Sequence, residues 1–246
     1  MFTKRIHGFK ICIIGGKKMN NPKGKISAIM VCAVMFAAIF ALAVNADAAT
    51  IIVPDNYPTI QQAVNAAISG DTICVRPGTY KEHVTINKSL TLEGNYEGCD
   101  TSTTIDASGT GDAIYVTVSH VNIKQVTTTN GDYGIRLIPD YSINNIGISD
   151  CIVTSNNFDG ICGGHVGGYL TIENCEVSQN KRHGIYSHQC HNSVIKDCEV
   201  FENGSAYESF GIDIAWCSNS WIRNCDVYSN KGAFAIILNV TDLCYH

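Results

Sequence analysis

The chain has 246 residues, with 22 acidic and 17 basic side chains and a formal net charge of −5. Seven of the basic residues, but only one acidic residue (Asp47), fall within residues 1–48, so residues 49–246 carry a formal charge of −11. Such an acidic domain lacks the basic surface that nucleic-acid binding requires. It also disfavours polyanionic sugars unless a divalent cation bridges the charges. The length allows one large domain or two small ones.

The N-terminal segment predicts export. An apolar run covers residues 26–44 and ends in Asn-Ala-Asp-Ala-Ala, in which Ala46 and Ala48 are the small residues of a cleavage site. Four lysines precede the run: Lys17, Lys18, Lys23 and Lys25. We therefore expect a signal peptide over residues 1–48 and a secreted, cell-surface or periplasmic domain. A retained membrane anchor stays open as the alternative, because a run of 19 apolar residues just spans a bilayer.

Residues 57–68 predict a short amphipathic helix. Four apolar residues share one face of it: Ile60, Val64, Ala67 and Ile68. Thr59 precedes Gln62 by the spacing of a capping box. In a solenoid, such a helix covers the open end of the hydrophobic core. Three strands are predicted to follow, at residues 72–75, 83–86 and 89–93.

A repeat with a spacing of 23 to 27 residues occupies the rest of the chain. Four copies share the pattern Cys-x-Val-x-x-Asn. They start at Cys151, Cys175, Cys198 and Cys225, and end at Asn156, Asn180, Asn203 and Asn230. The segment from Gln125 to Asn130 reads as a fifth copy with Gln in place of Cys. A Gly-Ile pair follows four of the copies, beginning at Gly134, Gly160, Gly184 and Gly211.

The pattern between the copies fixes the fold class. Alternating apolar residues precede each copy, which indicates short, half-buried strands. No helical pattern separates the strands, which excludes βαβ units, and an antiparallel meander would not place one residue type at one offset in every turn. The sequence therefore predicts an all-β, parallel β-helix of about seven coils over residues 49–246, with coils about 4.8 Å apart.

Stacked columns follow from this geometry. The repeat cysteines and asparagines should each form one, and a second asparagine column is predicted at Asn145, Asn192 and Asn219. Asn tolerates left-handed backbone and bonds along a stack. In-register cysteines keep their Cβ atoms near ~4.8 Å, wider than the ~3.8 Å of a disulfide. We therefore expect buried free thiols.

Two stretches near the start of the domain carry a family signature. They are Thr59-Ile-Gln-Gln-Ala-Val64 and Gly70-Asp-Thr-Ile-Cys-Val-Arg-Pro-Gly-Thr-Tyr-Lys-Glu-His-Val-Thr-Ile-Asn-Lys-Ser-Leu-Thr-Leu-Glu-Gly94. They resemble the opening of pectin-lyase-like right-handed β-helix proteins, and most closely the β-helix repeat proteins of archaeal and bacterial surfaces, which include copper-associated periplasmic proteins of denitrifiers. The resemblance extends from Thr50 to the C-terminus and implies a right-handed solenoid.

The catalytic signatures of that superfamily are mostly missing. The sequence has no aspartate cluster of the pectate-lyase calcium type, no adjacent Asp pair with a downstream Gly-His-Gly, and no Asp-Pro-His motif of alginate epimerases. The later Gln, Asp and Arg motifs of pectin methylesterases are not found either. Because one fold hosts many activities, the absence of these motifs favours a scaffold over an enzyme.

The favoured function is an exported scaffold that binds carbohydrate, such as a polysaccharide or cell-wall glycan, or has a structural role. A polysaccharide lyase, hydrolase or epimerase is the first alternative. It would need at least two acids with a base or calcium in an outer cleft, and calcium is the cofactor expected only for action on polyuronates. A periplasmic metal-associated protein is the second alternative. Membrane contact is expected only through an uncleaved signal.

Outward positions beside the Gly-Ile pairs define a candidate site. Four residues there are the candidate sugar-binding residues: Arg136, Tyr186, His188 and Asp213. Aromatic, imidazole and carboxylate groups suit stacking on sugar rings and hydrogen bonds to hydroxyls. An ordinary solvated face is the alternative. A metal site at His183, His188, Cys190 and His191 is disfavoured, since Cys190 aligns with Cys217 in the repeat and no zinc spacing is present.

The C-terminal end raises a separate expectation. The last predicted strand covers residues 234–238, and no capping pattern follows it as far as His246. An open solenoid end exposes core side chains and unpaired backbone groups. We therefore expect an incomplete final coil with unusually exposed apolar residues, Ile237 among them, which a partner or further domains would close.

Overall fold

The computed structural model describes residues 5–6, 9–10, 47–97, 102–138, 140, 142–164, 166–205, 209–232 and 234–239. The chain divides into two units, Met1–Ala46 and Asp47–His246. In the first unit, β1 (Arg5–Ile6) pairs with the antiparallel β2 (Phe9–Lys10). The predicted apolar run at residues 26–44 lies outside the described residues. Within the described part of the chain, no helix has the length and apolar character needed to span a membrane.

A short helix opens the second unit. Helix α1 (Ile60–Ala66) begins after Thr59, whose side chain accepts a hydrogen bond from the Gln62 backbone N at 3.2 Å. The Glu82 carboxylate accepts from two further first-turn amides, which satisfies donors that a helix start leaves free. The buried face includes Ile60, as predicted. The prediction that Ile68 belongs to it is wrong, since the helix ends two residues earlier and Ile68 is 45% exposed.

Three parallel sheets form the rest of the second unit. Sheet 1 is eight-stranded, in the spatial order β3 (Thr50–Val53), β4 (Thr72–Val75), β7 (Thr91–Glu93), β10 (Val121–Lys124), β13 (Asn144–Ser149), β16 (Gly168–Glu173), β19 (Val194–Lys196) and β22 (Trp221–Arg223). Sheet 2 is seven-stranded, with β5 (Gly78–Tyr80), β8 (Thr103–Asp106), β11 (Val126–Thr129), β14 (Ile152–Thr154), β17 (Glu176–Ser178), β20 (Glu199–Phe201) and β23 (Asp226–Tyr228). Sheet 3 is also seven-stranded, with β6 (Val84–Ile86), β9 (Ile114–Val116), β12 (Ile135–Leu137), β15 (Ile161–Cys162), β18 (Ile185–His188), β21 (Phe210–Ala215) and β24 (Phe234–Asn239).

The order of the strands confirms the predicted fold class. Consecutive strands of the chain pass from sheet 1 to sheet 2 to sheet 3, and the next strand returns to sheet 1 beside the strand one coil earlier. The unit is therefore a parallel β-helix of about seven coils, with α1 at its N-terminal end. The strands predicted at residues 72–75, 83–86 and 89–93 correspond to β4, β6 and β7.

The core is a continuous stack of aliphatic side chains. In one coil, Ile172 from sheet 1, Val177 from sheet 2 and Ile185 from sheet 3 are all 0% exposed. Each lies in register with its equivalent one coil further on, as Ile172 does with Ile195. A fully buried aliphatic side chain stabilises the fold by about 1.5–3 kcal/mol. The alternating pattern of the repeat therefore supplies the main stabilisation of each coil.

Residues with left-handed backbone turn the chain at its corners. The residue before each repeat cysteine has φ between 51° and 54°: Asp150, Asn174, Asp197 and Asn224. The second asparagine column has φ between 51° and 55°: Asn145, Asn192 and Asn219. Asn and Asp adopt this conformation at lower cost than other residues that carry a Cβ. The frequent Asn of the sequence therefore follows from the corner geometry.

The repeat asparagines form a hydrogen-bonded column at the corner between sheets 2 and 3. The Asn180 Oδ1 accepts from the backbone N (3.1 Å) and the Nδ2 (2.8 Å) of Asn156. The Asn180 Nδ2 donates to Asn203 Oδ1 at 2.9 Å and to the Val153 carbonyl at 3.1 Å. Asn203 repeats these contacts with Asn230. Because Asn156, Asn180 and Asn203 are at most 1% exposed, the column replaces hydrogen bonds that water would otherwise make.

The glycines of the Gly-Ile pairs make room for this column. A Cβ on Gly184 would lie 2.8 Å from Asn203 Nδ2, 2.6 Å from Val200 Cγ1 and 2.6 Å from the Gly211 carbonyl oxygen. Real Cβ atoms do not approach other atoms so closely, because interiors are close-packed. The repeat therefore pairs each column asparagine with a glycine that leaves space for the asparagine of the next coil.

The predicted fifth copy of the repeat, at residues 125–130, is wrong in its register, which is shifted by one residue. Thr127 pairs in register with Ile152. Val126, rather than the preceding Gln, is therefore the equivalent of Cys151. Because side chains alternate between the two faces of a strand, a shift of one residue exchanges inward and outward positions.

Gly131 consequently takes the place of the column asparagine in that coil. Its backbone N donates to the Asn156 Oδ1 at 2.9 Å, which starts the column without a side chain. Gln125 and Asn130 are corner residues instead, with φ of 53° and 55°. The sequence favoured the wrong register because both the corner and the column prefer Asn, for different physical reasons.

The repeat cysteines lie one residue before in-register positions of sheet 2. Cys151, Cys175 and Cys198 are 1–2% exposed, and Cys225 in the last coil is half-buried. Each thiol donates to the carbonyl two residues earlier, at 3.1–3.3 Å. The cysteines therefore fill small spaces at the edge of the core, next to their own corner.

The last coil is more exposed than the coil before it. Val200 is 0% exposed, whereas the equivalent Val227 is half-buried. Trp221 is 64% exposed and Ile236 is 38% exposed. The predicted exposure of Ile237 concerns a side chain that lies outside the described residues.

Candidate functional site

The outer face of sheet 3 carries a row of unlike side chains. Register places five residues opposite one another on successive strands: Tyr115, Arg136, Cys162, Tyr186 and Asp213. Neighbouring members stand about 4.8 Å apart along the solenoid axis. The three predicted residues of this row, Arg136, Tyr186 and Asp213, are therefore on one face. His188 joins them two residues after Tyr186, on the same side of β18.

Three of the four predicted residues form one hydrogen-bonded network. The Tyr186 Oη lies 2.9 Å from His188 Nδ1, and His188 Nε2 lies 3.0 Å from Asp213 Oδ1. Asp213 accepts as a carboxylate, so His188 donates from Nε2 and accepts the Tyr186 hydroxyl proton at Nδ1. Burial raises the pKa of Tyr186, which keeps that hydroxyl protonated. The network holds the His188 ring in one orientation and one tautomer.

Five rings extend this network into a strip that we call the aromatic ribbon: Phe210, His183, Tyr186, His188 and Trp216. Their successive centroids are 5.3, 5.3, 4.1 and 5.9 Å apart. Trp216 is 49% exposed, whereas His183 is 2% exposed. Both ends of the ribbon, Phe210 and Trp216, belong to the coil of β21, and the three rings between them belong to the coil before. The open indole of Trp216 offers flat aromatic surface to a ligand.

Asp159 lies beneath the ribbon and is 1% exposed. Its Oδ1 accepts from the His183 backbone N at 3.1 Å and lies 3.8 Å from Arg182 Nε. Burial raises the pKa of Asp159 to about 6, and the Asp213 carboxylate adds to the rise. Asp159 was not among the residues predicted from the sequence. The available signal was its position one residue before a Gly-Ile pair, the position that His183 occupies in the next coil.

His183 and Cys162 are held in their neutral forms. The His183 Nδ1 accepts from the Phe210 backbone N at 3.2 Å, and burial lowers the pKa of His183 to about 4. Burial raises the pKa of Cys162 to about 12. The imidazole is therefore uncharged and the thiol is not a thiolate near neutral pH, so Cys162 is unsuited to act as a nucleophile.

Arg136 lies on the same face but outside the network. Its guanidinium is 3.5 Å from Asp112 Oδ2. Its CZ atom lies 4.8 Å from the Tyr133 ring centroid and 5.7 Å from that of Tyr115. Register puts Arg136 two strands away from Tyr186. The four predicted sugar-binding residues therefore fall into two groups: three belong to the hydrogen-bonded network, and Arg136 belongs to a separate cluster with Asp112 and its flanking rings.

The cysteine and histidines considered for metal binding point to separate partners. The His191 Nδ1 lies 2.7 Å from the Ser218 hydroxyl. Cys190 is 0% exposed, and its backbone N donates to Cys217 Sγ at 3.1 Å, as expected for stacked equivalents. Among the residues that the structure describes, no three His, Cys, Asp or Glu side chains are placed to share a metal ion.

A family model described as a right handed beta helix region matches residues 90–243. A search of curated proteins finds no match. Among solved structures, the pectin methylesterase PemA from Erwinia chrysanthemi is 15% identical with a TM-score of 0.52, covering 72% of this chain and 66% of the esterase. A pectin methylesterase in complex with a hexasaccharide is 14% identical (TM-score 0.51), with the same coverage. The ORF18 protein of Geobacillus virus E2 is 14% identical (TM-score 0.55), covering 88% of this chain and 54% of the viral protein.

These likenesses concern the fold. At 14–15% identity, the structural matches establish a shared architecture, since one fold hosts many activities. The chain also spans less than two thirds of the esterases' own length and about half of the viral protein. The architecture is therefore related to that of pectin-active enzymes, while the chemistry has to be argued from the residues of this chain.

Proposed function

This chain belongs to the right-handed β-helix family, and we propose that it binds carbohydrate on the outer face of sheet 3 as an exported cell-surface or secreted scaffold. The observation that carries the proposal is the aromatic ribbon. Its exposed end, Trp216, packs against His188, which is hydrogen-bonded to Asp213. A sugar ring has an apolar face that stacks on an aromatic ring and a rim of hydroxyls that bonds polar groups. The ribbon and the network supply both.

The network also favours binding because it is already ordered. The hydrogen bonds of His188 to Tyr186 and Asp213 hold the imidazole in place before any ligand arrives. Groups that are fixed in the free protein lose less conformational entropy on association. Two further points support the proposal: the signal-like segment at residues 1–48 agrees with an extracellular ligand, and one solved structure of this fold is a complex with a hexasaccharide.

The test compares the two tryptophans of the chain. The full-length protein is screened on a glycan array, and affinities for the bound glycans are measured by titration calorimetry. Trp216→Ala removes the exposed end of the ribbon and should weaken binding about tenfold or more. Trp221→Ala removes a similarly exposed indole from sheet 1 and should leave affinity unchanged. Absence of glycan binding, or equal losses in both variants, would contradict the proposal.

A polysaccharide-active enzyme is the second candidate, and Asp159 favours it. Burial raises the pKa of Asp159 to about 6, and carboxyls with pKa values shifted in this way cluster at catalytic sites, where they donate and accept a proton near neutral pH. If the chain cleaves a glycan that it binds, new reducing ends or unsaturated products will accumulate. Asp159→Asn should then abolish product formation while Trp216-dependent binding persists. Binding without product would leave the scaffold as the function.

A further inference from the structure

We infer that the outer face of sheet 3 selects a neutral carbohydrate, one without carboxylate or sulfate groups. This rests on the carbohydrate binding proposed above and specifies its ligand. Charge complementarity supports this ligand class. A glycan that carries anions needs free cationic groups at its site. Around the aromatic ribbon, each described arginine, and His188 with them, already faces a carboxylate of this chain.

Arg136 is the first of these cations. Its NH1 lies 3.5 Å from the largely buried carboxylate of Asp112, and its guanidinium packs over the rings of Tyr133 and Tyr115. A guanidinium binds a carboxylate best through two parallel N–H bonds in its own plane. Arg136, whose side chain is 38% exposed, therefore already has an internal anion at one edge and aromatic rings against its faces before any ligand arrives.

Arg182 and His188 are paired in the same way. The Arg182 Nε lies 3.8 Å from Asp159 Oδ1, and its CZ lies 5.9 Å from the Tyr186 ring centroid. The His188 Nε2 donates to Asp213 at 3.0 Å. The buried His183 is a hydrogen-bond acceptor at Nδ1 and stays neutral. An incoming carboxylate would therefore compete with an internal carboxylate for Arg136, Arg182 and His188.

The paired carboxylates themselves suit a neutral sugar. A carboxylate uses only lone pairs and can accept several hydrogen bonds, so the exposed part of the Asp112 side chain (14%) and of the Asp213 side chain (9%) keeps acceptor capacity beyond the internal partners. Sugar hydroxyls supply the O–H donors that this capacity requires. The anionic oxygens of a uronate or a sulfate are themselves acceptors, so they cannot donate to the carboxylate oxygens of the protein. The formal charge of −11 over residues 49–246 adds repulsion of any polyanion.

The test uses the full-length protein and matched hexasaccharides: a β-1,4-glucan and an α-1,4-glucan, each with its uronate counterpart. Affinities are measured at low salt, with and without calcium. We expect the neutral members to bind and the uronates to bind at least about tenfold more weakly, with or without calcium. Trp216→Ala should remove the binding of the neutral members.

Uronate binding that equals or exceeds neutral binding and depends on Trp216, with or without calcium, would overturn the inference but leave the proposed function standing. If neither class binds, the proposed function fails and the inference fails with it.

A charge-releasing variant gives a second readout. Asp112→Asn removes the carboxylate partner of Arg136, so the ratio of uronate affinity to neutral-glycan affinity should rise about tenfold. Asp226→Asn makes the same change in net charge on sheet 2 and should not alter this ratio. Equal gains in the two variants, or no gain in Asp112→Asn, would overturn the local pairing on which the inference depends.

Discussion

Two neighbouring regions of the same coils follow opposite rules. At the corner between sheets 2 and 3, successive coils carry the same asparagine, and each copy makes the same bonds to the next. On the outer face of sheet 3, the register row reads Tyr115, Arg136, Cys162, Tyr186 and Asp213, with no residue type repeated beside itself. The chain thus repeats one residue type inside the corner column and varies the residue type along the outer face.

This difference separates residues that build the fold from residues available for function. A column residue such as Asn180 bonds to the coil before it and to the coil after it, so its replacement breaks contacts in two directions. An outer-face residue is satisfied within its own local group, as the His188 network shows. Departure from the repeat is therefore a better pointer to a site in a solenoid than residue type alone. We therefore expect substitutions in the asparagine column to change stability more than substitutions on the outer face.

The largest effect is expected at the asparagine column. Asn180→Ala removes four hydrogen bonds and leaves the backbone N of Asn156 and the carbonyl of Val153 buried without this partner. Each buried group left unpaired costs about 1–3 kcal/mol, so we expect a loss of about 4 kcal/mol in the free energy of unfolding, measured with urea. The matched control is Asn157→Ala in the adjoining corner position. Its half-buried amide bonds Gly109 and Lys181, and less than about 1 kcal/mol should be lost. Equal losses in the two variants would contradict the special role of the column.

The second effect is a pH dependence at the outer face. Burial raises the pKa of Asp159 to about 6, against about 3.9 in an unfolded chain. Between these values the folded state holds a proton that the unfolded state loses. The free energy of unfolding therefore falls as pH rises from about 4 to about 6, by about 3 kcal/mol in total. Asp159→Asn removes this contribution, so its stability relative to the wild type should increase over that range.

His183 contributes with the opposite sign. Burial lowers its pKa to about 4, against about 6.5 in an unfolded chain, so stability is lost as pH falls from about 6.5 to about 4, again by about 3 kcal/mol. His183→Gln should therefore gain stability relative to the wild type at the acid end. Asn180→Ala, in a column without titratable groups, should lose the same amount at every pH. Parallel stability curves for the wild type and the two outer-face variants would show that neither group has a shifted pKa.

The sequence predicted the solenoid well because the fold depends on periodicity. Strands, cap and coil count follow from alternation, from Thr59 before α1 and from the repeat itself. The one-residue error at residues 125–130 arose where Gly131 replaces a side chain by a backbone amide, which leaves no residue type to recognise. Asp159 was missed for a related reason. Its burial and its contact with His183 depend on the stacking of two coils rather than on its own neighbours in the sequence.

The candidate site was predicted only in part. Register and alternation are enough to place Tyr186 and Asp213 opposite each other, with His188 on the same side. They do not reveal that Arg136 turns to Asp112 and its flanking rings, because that choice depends on side-chain reach and local burial. The carboxylate contacts of His188 and Arg136 join unlike side chains of neighbouring coils, which a repeat pattern does not encode.

The smallest effect, no change at all, is expected for the cysteine column under a reducing agent. The Cys175 thiol donates to the Glu173 carbonyl at 3.2 Å, and its hydrogen bond with Cys151 together with burial raises the pKa of Cys175. A buried thiol that is scarcely ionised exchanges slowly with disulfides. Protein purified without reductant should therefore melt at the same temperature with and without dithiothreitol. Thiol titration of the same sample after unfolding should find Cys151, Cys175, Cys198 and Cys225 unpaired, with a fully reduced sample as the reference count. A titration that finds few of these thiols, together with a melting temperature that falls on reduction, would mean that neighbouring coils are cross-linked and that the column, like the asparagines, stabilises the stack through bonds between coils.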